Sequence, residues 1–241
     1  MARAARGRGR ASARLQPRDR VRGRRGRPRR RSRHRDDRAG VIGVLVSGEG
    51  TNLQALLDAG LPVVAVASNS PRAKALARAE SSGAPAAVFA LEEYPDRETR
   101  DRAMADWLQD RGAELVVCAG YMHLLTPPFL ERFPERVVNV HPGPLPDFPG
   151  AHPLEDLLAA GVSEAAATVH YVDSGIDTGP VIASEPVPVL AGDTVETLRE
   201  RVHAVEHRLL PEVVRGLLPA ESRSESRAEG EARRSSTRRE R

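Results

Sequence analysis

Residues 41–57 read VIGVLVSGEGTNLQALL. They begin with an apolar run of strand length, continue into a glycine-rich segment and end with Leu53, Leu56 and Leu57 at helical spacing. This order predicts a strand, a tight turn and a helix. Because the strand is apolar throughout and does not alternate with polar residues, we expect both of its faces to be covered.

The same alternation of strands and helices continues along the chain. The next predicted elements are a strand over 62–68, a helix over 71–82, a short strand over 86–89, a helix that includes Arg97 and Trp107, and a strand over 115–119. Continuously apolar strands separated by helices predict a parallel sheet with helices on both faces. The predicted fold class is therefore α/β, a single-domain Rossmann-like three-layer sandwich with a mostly parallel central sheet.

A proline-rich loop interrupts the elements that follow Gly120. Four prolines within residues 141–150, HPGPLPDFPG, make this loop rigid and non-helical. The elements predicted around it are a short helix over 127–133, a strand over 137–140, a helix over 154–160, a strand over 167–172, a turn over 173–179, a strand from 181 and a long helix that starts at Asp193 or Thr194 and runs to about 217.

The charge of the chain is distributed very unevenly. The 241 residues carry 37 Lys and Arg and 33 Asp and Glu, a formal net charge of +4. Residues 1–40 have a net charge of +14 and residues 219–241 of +2, whereas residues 41–218 have a net charge of −12. Both ends lack the apolar side chains needed to build a core, so we expect a disordered Arg-rich extension over 1–40 and a disordered charged tail over 219–241. Residues 41–218 are long enough for one compact domain.

The Arg-rich ends have two interpretations. Arginine arms can bind nucleic acid by releasing counterions, which makes a nucleic-acid-binding protein one alternative for this chain. However, Arg outnumbers Lys by 36 to 1 over the whole sequence, as a strongly GC-biased genome would produce. We therefore expect nucleic acid to bind at most non-specifically through the arm.

The remaining composition restricts the class of protein. Cys118 is the single cysteine, which excludes an intrachain disulfide and a multi-cysteine metal site, and we expect no metal. No apolar run approaches the roughly 20 residues of a membrane span. We expect a cytoplasmic protein without a membrane partner.

The glycine-rich turn after the first strand is a candidate anion site. A dinucleotide site is disfavoured, because Leu53 stands where the fingerprint needs a third glycine and no acid follows the second strand, where Asn69 lies. The backbone amides of Gly50, Thr51 and Asn52, at the start of a helix, suit a phosphate monoester. Glu49 counts against this unless its side chain points away.

A second candidate site follows the strand over 137–140. Asn139 and His141 are two residues apart and share one face of the strand, at its carboxyl end, where ligands bind in open α/β sheets. An amide donor beside a histidine suits a carbonyl oxygen that becomes an oxyanion. A carboxylate near His141 would raise the pKa of the histidine, and Asp177 in the Gly-flanked turn is a candidate for that carboxylate.

Five ordered motifs resemble the phosphoribosylglycinamide formyltransferase family of purine biosynthesis. They are SGEGTNLQ from Ser47, AGYMHLL from Ala119, NVHP from Asn139, FPGAH from Phe148 and VHYVDSGIDTGP from Val169. The resemblance spans nearly all of residues 41–217 and marks 41–218 as a formyltransferase catalytic domain. It implies transfer of a formyl group from 10-formyltetrahydrofolate, as cosubstrate, to the amine of 5-phosphoribosylglycinamide, by a monomer or homodimer.

The resemblance also implies roles for individual residues. Asn139 would hold the formyl oxygen, His141 would donate a proton and Asp177 would tune that histidine. The acceptor substrate would bind to Gly50, Thr51, Asn52 and Glu206. The residues implied for folate binding are Arg97, Met122, His123, Leu124, Leu125, Asn139, Asp173 and Asp177.

Three positions depart from the family pattern. Gly143-Pro144 stands where Ser-Leu is usual, His123 where Arg or Lys is common, and Glu49 where a neutral residue is common. They affect loop detail and affinity rather than the reaction.

Two further enzymes that use formyltetrahydrofolate are alternatives to this interpretation. The hydrolase would carry a folded regulatory domain before the catalytic one, which 1–40 cannot form. The enzyme that formylates initiator methionyl-tRNA would carry a further C-terminal domain and would lack the phosphate turn.

Overall fold

The computed structural model describes residues 41–219, so the expectations for 1–40 and for 220–241 lie outside the described residues. The elements are, in chain order, β1 Ile42–Val46, α1 Thr51–Asp58, β2 Val63–Ser68, α2 Ala75–Ser82, β3 Ala86–Val88, a 3₁₀ turn Leu91–Glu93, α3 Arg97–Asp110, β4 Leu115–Cys118, α4 Pro127–Leu130, β5 Val137–His141, α5 Pro153–Ala160, β6 Glu164–Tyr171, β7 Val181–Pro188 and α6 Val195–Leu217.

The seven strands form one sheet in the order β3-β2-β1-β4-β5-β6-β7. Strands β1 to β5 pair in parallel, whereas β6 pairs antiparallel with both β5 and β7. The predicted fold class, a mostly parallel sheet in an α/β protein, is confirmed. The strand order reverses between β1 and β4, and in open α/β sheets such a reversal opens a crevice at the carboxyl ends of the strands.

Two apolar layers cover the two faces of the sheet. One face packs against α1, α2, α5 and α6, and the other packs against α3 and α4. The first layer contains Val44, Val117, Leu53, Leu157, Leu198 and Leu210, and the second contains Leu45, Val116, Met104, Leu108 and Phe129. Because strands β1 and β4 contribute to both layers, their continuously apolar sequence is explained.

Some predicted element ends differ from the observed ones. The helix predicted from Pro71 begins at Ala75, and the helix predicted to reach Phe133 ends at Leu130, after which the amides of Arg132 and Phe133 bond three residues back. The strand predicted from Ala167 begins three residues earlier. The predicted start of the last helix is confirmed, because the side chain of Thr194 caps it by accepting from the Thr197 amide.

Candidate active site

A cavity of about 440 Å³ opens at the carboxyl ends of β4 and β5. The segment after β4, the proline-rich loop after β5 and the turn after β6 form its walls, and α6 contributes two side chains from the side. The cavity therefore lies beside the strand-order reversal, where the fold leaves a crevice.

Asn139 lies on β5 and faces this cavity. Its Nδ2 lies 3.1 Å from Nε2 of His170 and 3.5 Å from Oδ1 of Asp177. His170 Nδ1 is 2.8 Å from the carbonyl oxygen of Tyr171, and because a carbonyl can only accept, that nitrogen carries a proton.

His141 ends β5 and is buried. Its Nε2 donates to the carbonyl oxygen of Phe148 in the proline-rich loop (2.7 Å), and its Nδ1 lies 3.4 Å from Oδ2 of Asp177. The expected neighbour is present, but the expected raised pKa is wrong. Burial lowers the pKa of His141 below its ordinary value, and the Phe148 carbonyl and Asp177 offset only part of that effect.

Asp177 connects these groups from a backbone position with φ of 52°. This left-handed conformation is uncommon for a residue other than glycine and turns the side chain into the cavity. Oδ2 accepts from the Gly150 amide at 2.8 Å. Burial acts to raise the pKa of Asp177, but contacts with His170, the Gly150 amide and His141 outweigh it, so the pKa lies below its ordinary value. Asp177 is therefore a carboxylate at neutral pH.

A buried pair lies at the opposite side of the cavity. Asn52, in the first turn of α1, donates from Nδ2 to Oε2 of Glu206 on α6 at 2.9 Å. Glu206 is only 2% exposed, and burial raises its pKa to about 7 against the lowering effect of the Asn52 hydrogen bond. Oδ1 of Asn52 is buried and has no hydrogen-bond partner among residues 41–219. The pair thus offers a carboxyl group and an unused acceptor to a ligand.

The turn before α1 brings Gly50 against α2. Gly50 has φ of 74°, and a Cβ on it would lie 2.5 Å from Cβ of Ala75, so this position needs glycine. No side chain caps α1. Glu49 points away to pair with Lys74 at 2.9 Å, which removes the objection to an anion at the turn. Thr51 lines a neighbouring surface groove between α1 and α6 rather than the cavity.

The segment 121–125 forms the apolar wall of the cavity. Met122 is 66% exposed and Leu124 46% exposed at its mouth, whereas Leu125 is buried. His123 lines the wall as well. The turn after β6 faces this wall. Its first residue, Asp173, lines the cavity and organises the turn, because Oδ1 accepts from the Gly175 amide and the Thr178 hydroxyl.

Arg97 is the one residue proposed for folate binding that does not line the cavity. It is exposed at the first position of α3, close enough to His123 for its charge to help lower the pKa of that histidine, after burial and Arg100. The geometry therefore brings together Asn52, Met122, His123, Leu124, Leu125, Asn139, His141, Asp173, Asp177 and Glu206, and leaves Gly50, Thr51 and Arg97 beside the cavity.

A family model described as formyl transferase matches residues 41–214. The chain belongs to the formyl transferase family. Among its relatives, the phosphoribosylglycinamide formyltransferase of Mycobacterium tuberculosis strain H37Rv is 45% identical, over 72% of this chain and 83% of the relative. The trifunctional purine biosynthetic protein adenosine-3 of Drosophila pseudoobscura pseudoobscura is 39% identical, and the aligned part spans about 15% of its length.

Solved structures of formyltransferases are also similar to this chain. Glycinamide ribonucleotide transformylase 1 from Symbiobacterium toebii is 47% identical with a TM-score of 0.71, over 72% of this chain and 85% of that one. Phosphoribosylglycinamide formyltransferase from Streptococcus pneumoniae is 41% identical with a TM-score of 0.71, over 74% of this chain and 98% of that one. The family resemblance stated from the motifs is confirmed.

The sequence reasoning missed several residues in the cavity of this formyl transferase. His170 contacts both Asn139 and Asp177, and His203 on α6 lines the cavity near Glu206. The register of β6 pairs His170 with Asn139, which the sequence could not show because antiparallel pairing there was not predicted. Glu206 and His203 are three residues apart on a helix, a spacing that could have indicated His203.

Residues 41–219 show neither a metal-binding cluster nor a membrane-spanning helix. They contain no group of three or more His, Cys, Asp or Glu side chains arranged to hold a metal ion. None of the helices described between these residues has the length and apolar character to cross a membrane.

Proposed function

We propose that this formyl transferase acts in the cytoplasm and transfers a formyl group from 10-formyltetrahydrofolate to the amine of 5-phosphoribosylglycinamide. The products are 5-phosphoribosyl-N-formylglycinamide and tetrahydrofolate, a step of de novo purine biosynthesis. The observation that carries the proposal is the convergence of Asn139, His141 and Asp177 in one cavity with the Asn52–Glu206 pair. The name of the Mycobacterium tuberculosis relative supports the choice of substrates.

The folate binds, in this proposal, against the segment 121–125 and the turn that starts at Asp173. Met122, Leu124 and Ile176 present apolar surface at the mouth of the cavity, which suits a flat aromatic ring system. Arg97, just outside the wall, supplies a positive charge for the anionic folate. His123 and Leu125 complete the lining of this wall.

The acceptor substrate binds at the other end. Its phosphate lies at the start of α1, where the amides of Gly50, Thr51 and Asn52 face a ligand and no side chain competes as a cap. The buried Oδ1 of Asn52 and the carboxyl group of Glu206 accept hydrogen bonds from the hydroxyl or amine groups of the substrate. Placed this way, the substrate amine points toward Asn139 and His141.

The chemistry then needs one oxyanion site and one base. The neutral amine attacks the formyl carbon, and the formyl oxygen gains negative charge as a carbon–nitrogen bond forms. Asn139 Nδ2 and His141 Nε2–H donate hydrogen bonds to the formyl oxygen. For His141, the formyl oxygen takes the place of the Phe148 carbonyl oxygen, which accepts from Nε2 in the structure. Asp177, a carboxylate at neutral pH, takes the proton that the amine loses. When the carbon–nitrogen bond to the folate breaks, Asp177 gives that proton to the folate nitrogen and becomes a carboxylate again, so the protons balance.

The decisive experiment follows folate turnover by absorbance with and without phosphoribosylglycinamide. We expect tetrahydrofolate to form only when the amine substrate is present. Turnover without it would identify a formyltetrahydrofolate hydrolase instead. A chain that lacks residues 1–40 is expected to keep its turnover, whereas loss of turnover together with a salt-dependent affinity of 1–40 for nucleic acid would favour the nucleic-acid alternative.

Three variants test the assigned roles. Asn139→Ala and His141→Ala are each expected to lower kcat by about 10²- to 10³-fold, the usual effect of removing one oxyanion donor. Asp177→Ala should lower kcat by a factor on the order of 10² or more, because the base is lost. Activity close to that of the wild type in any variant would remove the role given to that residue.

A further inference from the structure

Arg100 is a fully buried arginine behind the wall of the cavity. It lies in the first turn of α3 with a relative exposure of 0%, and its neighbour Asp101 is equally buried. Nε and Nη2 of Arg100 both donate to Oδ1 of Asp101, at 2.8 and 2.6 Å. Oδ2 of Asp101 accepts from the amide and the hydroxyl of Thr126, each at 2.9 Å. A buried guanidinium is tolerated only when it is paired and hydrogen-bonded in this way.

The remaining nitrogen of Arg100, Nη1, faces the cavity wall. Nη1 lies 2.7 Å from Nδ1 of His123. A guanidinium has only donors, so Nδ1 must accept and carries no proton. His123 is therefore neutral, with its proton on Nε2.

The second nitrogen of His123 continues the contact toward β1. Nε2 lies 3.1 Å from Nδ2 of Asn69, and Oδ1 of Asn69 accepts from Oγ of Ser47 at 2.6 Å. The Ser47 oxygen in turn accepts from the Met122 amide at 2.9 Å. Since Nε2 must donate when Nδ1 accepts from Arg100, this tautomer requires the Asn69 amide to be rotated by 180°, which exchanges Oδ1 and Nδ2, two atoms of nearly equal size.

The wall segment depends on these side chains for its position. Residues 121–125 contain no helix or strand, so backbone pairing within an element does not hold them. Both ends of the segment are tied to side chains instead, Met122 through Ser47 and Thr126 through Asp101. Arg100 contacts the middle of the segment through His123 and its far end through Asp101.

We propose that Arg100 is the positioning residue for the folate-binding wall, and that it acts by holding His123 as the neutral Nε2–H tautomer. This inference rests on the proposed function, because it assigns the wall to folate. The site tolerates one cation at this point and not two. A second cation at position 123 would face the guanidinium of Arg100 with only Asp101 as a partner for both.

The first test uses kinetics on the full-length protein. Arg100→Met should raise the KM for 10-formyltetrahydrofolate roughly 10- to 100-fold, since misplacement of a binding wall by about 1 Å costs that much. Because Asn139 and His141 do not contact Arg100, kcat should stay within about threefold of the wild type. Arg102→Met, an exposed arginine on the same helix, is the matched control and should change neither constant.

A charge-relocation cycle keeps the test decisive if Arg100→Met folds poorly. His123→Arg alone places two guanidinium groups in contact and should raise the folate KM roughly 10-fold or more. The double variant Arg100→Met with His123→Arg contains one cation again, so its KM should fall back toward the wild-type value. A merely structural Arg100 predicts that the two changes add, and additive losses would overturn the proposal.

The tautomer provides a readout that does not depend on turnover. Nitrogen NMR of the ¹⁵N-histidine-labelled protein should show His123 neutral at pH 7 with its proton on Nε2, and this preference should disappear in Arg100→Met. A proton on Nδ1, or an imidazolium at pH 7, would refute the inference. If the wild type shows the expected tautomer but no amine-dependent turnover, the proposed function fails and the positioning of His123 stands. If turnover is present and both constants are unchanged in Arg100→Met, the inference alone fails.

Discussion

Replacing Glu206 with glutamine should stabilise the protein above neutral pH and not below pH 5. Burial raises the pKa of Glu206 from an ordinary value of 4.5 to about 7, so the folded chain binds this proton more tightly than the unfolded chain does. Stability therefore falls as the pH rises from about 4.5 to 7, and the loss is complete above 7. The shift corresponds to about 3 kcal/mol. Glutamine is neutral at every pH, so Glu206→Gln removes this loss while its side-chain oxygen still accepts from Asn52.

Urea unfolding of both proteins between pH 4.5 and 8.5 measures this difference. The free energies of unfolding should coincide at the acid end, and the variant should be more stable by about 3 kcal/mol at pH 8. For a domain of this size, that corresponds to a rise in Tm of roughly 6 to 12 °C. Glu200→Gln, an exposed position on the same helix, is the control and should follow the wild-type curve at every pH.

A difference in stability that does not change with pH would contradict the titration of Glu206. If Glu206→Gln changes the free energy of unfolding by the same amount at pH 5 and pH 8, then Glu206 does not titrate between these pH values. Another interaction would then offset the cost of burying its charged carboxylate. A gain in stability together with weaker binding of the amine substrate would indicate that Glu206 destabilises the fold but is needed to bind the substrate.

Three further outcomes are expected. Gly50→Ala should destabilise the protein by about 1 to 3 kcal/mol in urea unfolding, because its Cβ would lie 2.5 Å from Cβ of Ala75 at a φ of 74°; an unchanged midpoint would contradict this. Asp177→Asn should lower kcat by about 10²-fold or more in steady-state assays while circular dichroism stays unchanged, and near wild-type activity would exclude the carboxylate as base. Thr126→Val should cost about 1 to 3 kcal/mol of stability, since a hydrogen bond to the buried carboxylate of Asp101 is lost, and equal urea midpoints would show that Asp101 finds another donor.

The fold was predictable where the sequence pattern is local. The run from Val41 to Val46 and the glycine-rich turn after it indicate a buried strand and a helix start without any knowledge of the rest of the chain. The antiparallel pairing of β6 was not predictable in the same way. Its strand direction depends on the turn at 173–179 and on the register with β5, and both are tertiary features.

In the candidate site, too, features set by local sequence were predictable and features set by tertiary packing were not. The motifs around Asn139, His141 and Asp177 indicated which residues meet, because strand ends on one edge of a sheet converge. The direction of the His141 pKa was wrong because the prediction considered the carboxylate and not burial, and burial depends on packing from elements far apart in the chain. Nothing in the sequence indicated that Arg100 is buried behind the cavity wall, since an arginine on a predicted helix is usually exposed to solvent.

The charge of the domain explains why the substrate end is built from neutral and partly neutral groups. Residues 41–218 have a net charge of −12, so the overall field does not attract a phosphate or an anionic folate. Two local features counter this field near α1. Glu49 is turned away to Lys74, which leaves the helix start without a competing acid, and burial keeps Glu206 partly protonated near pH 7. The same burial that makes Glu206 costly to the fold therefore reduces the negative charge that a phosphate-bearing substrate meets.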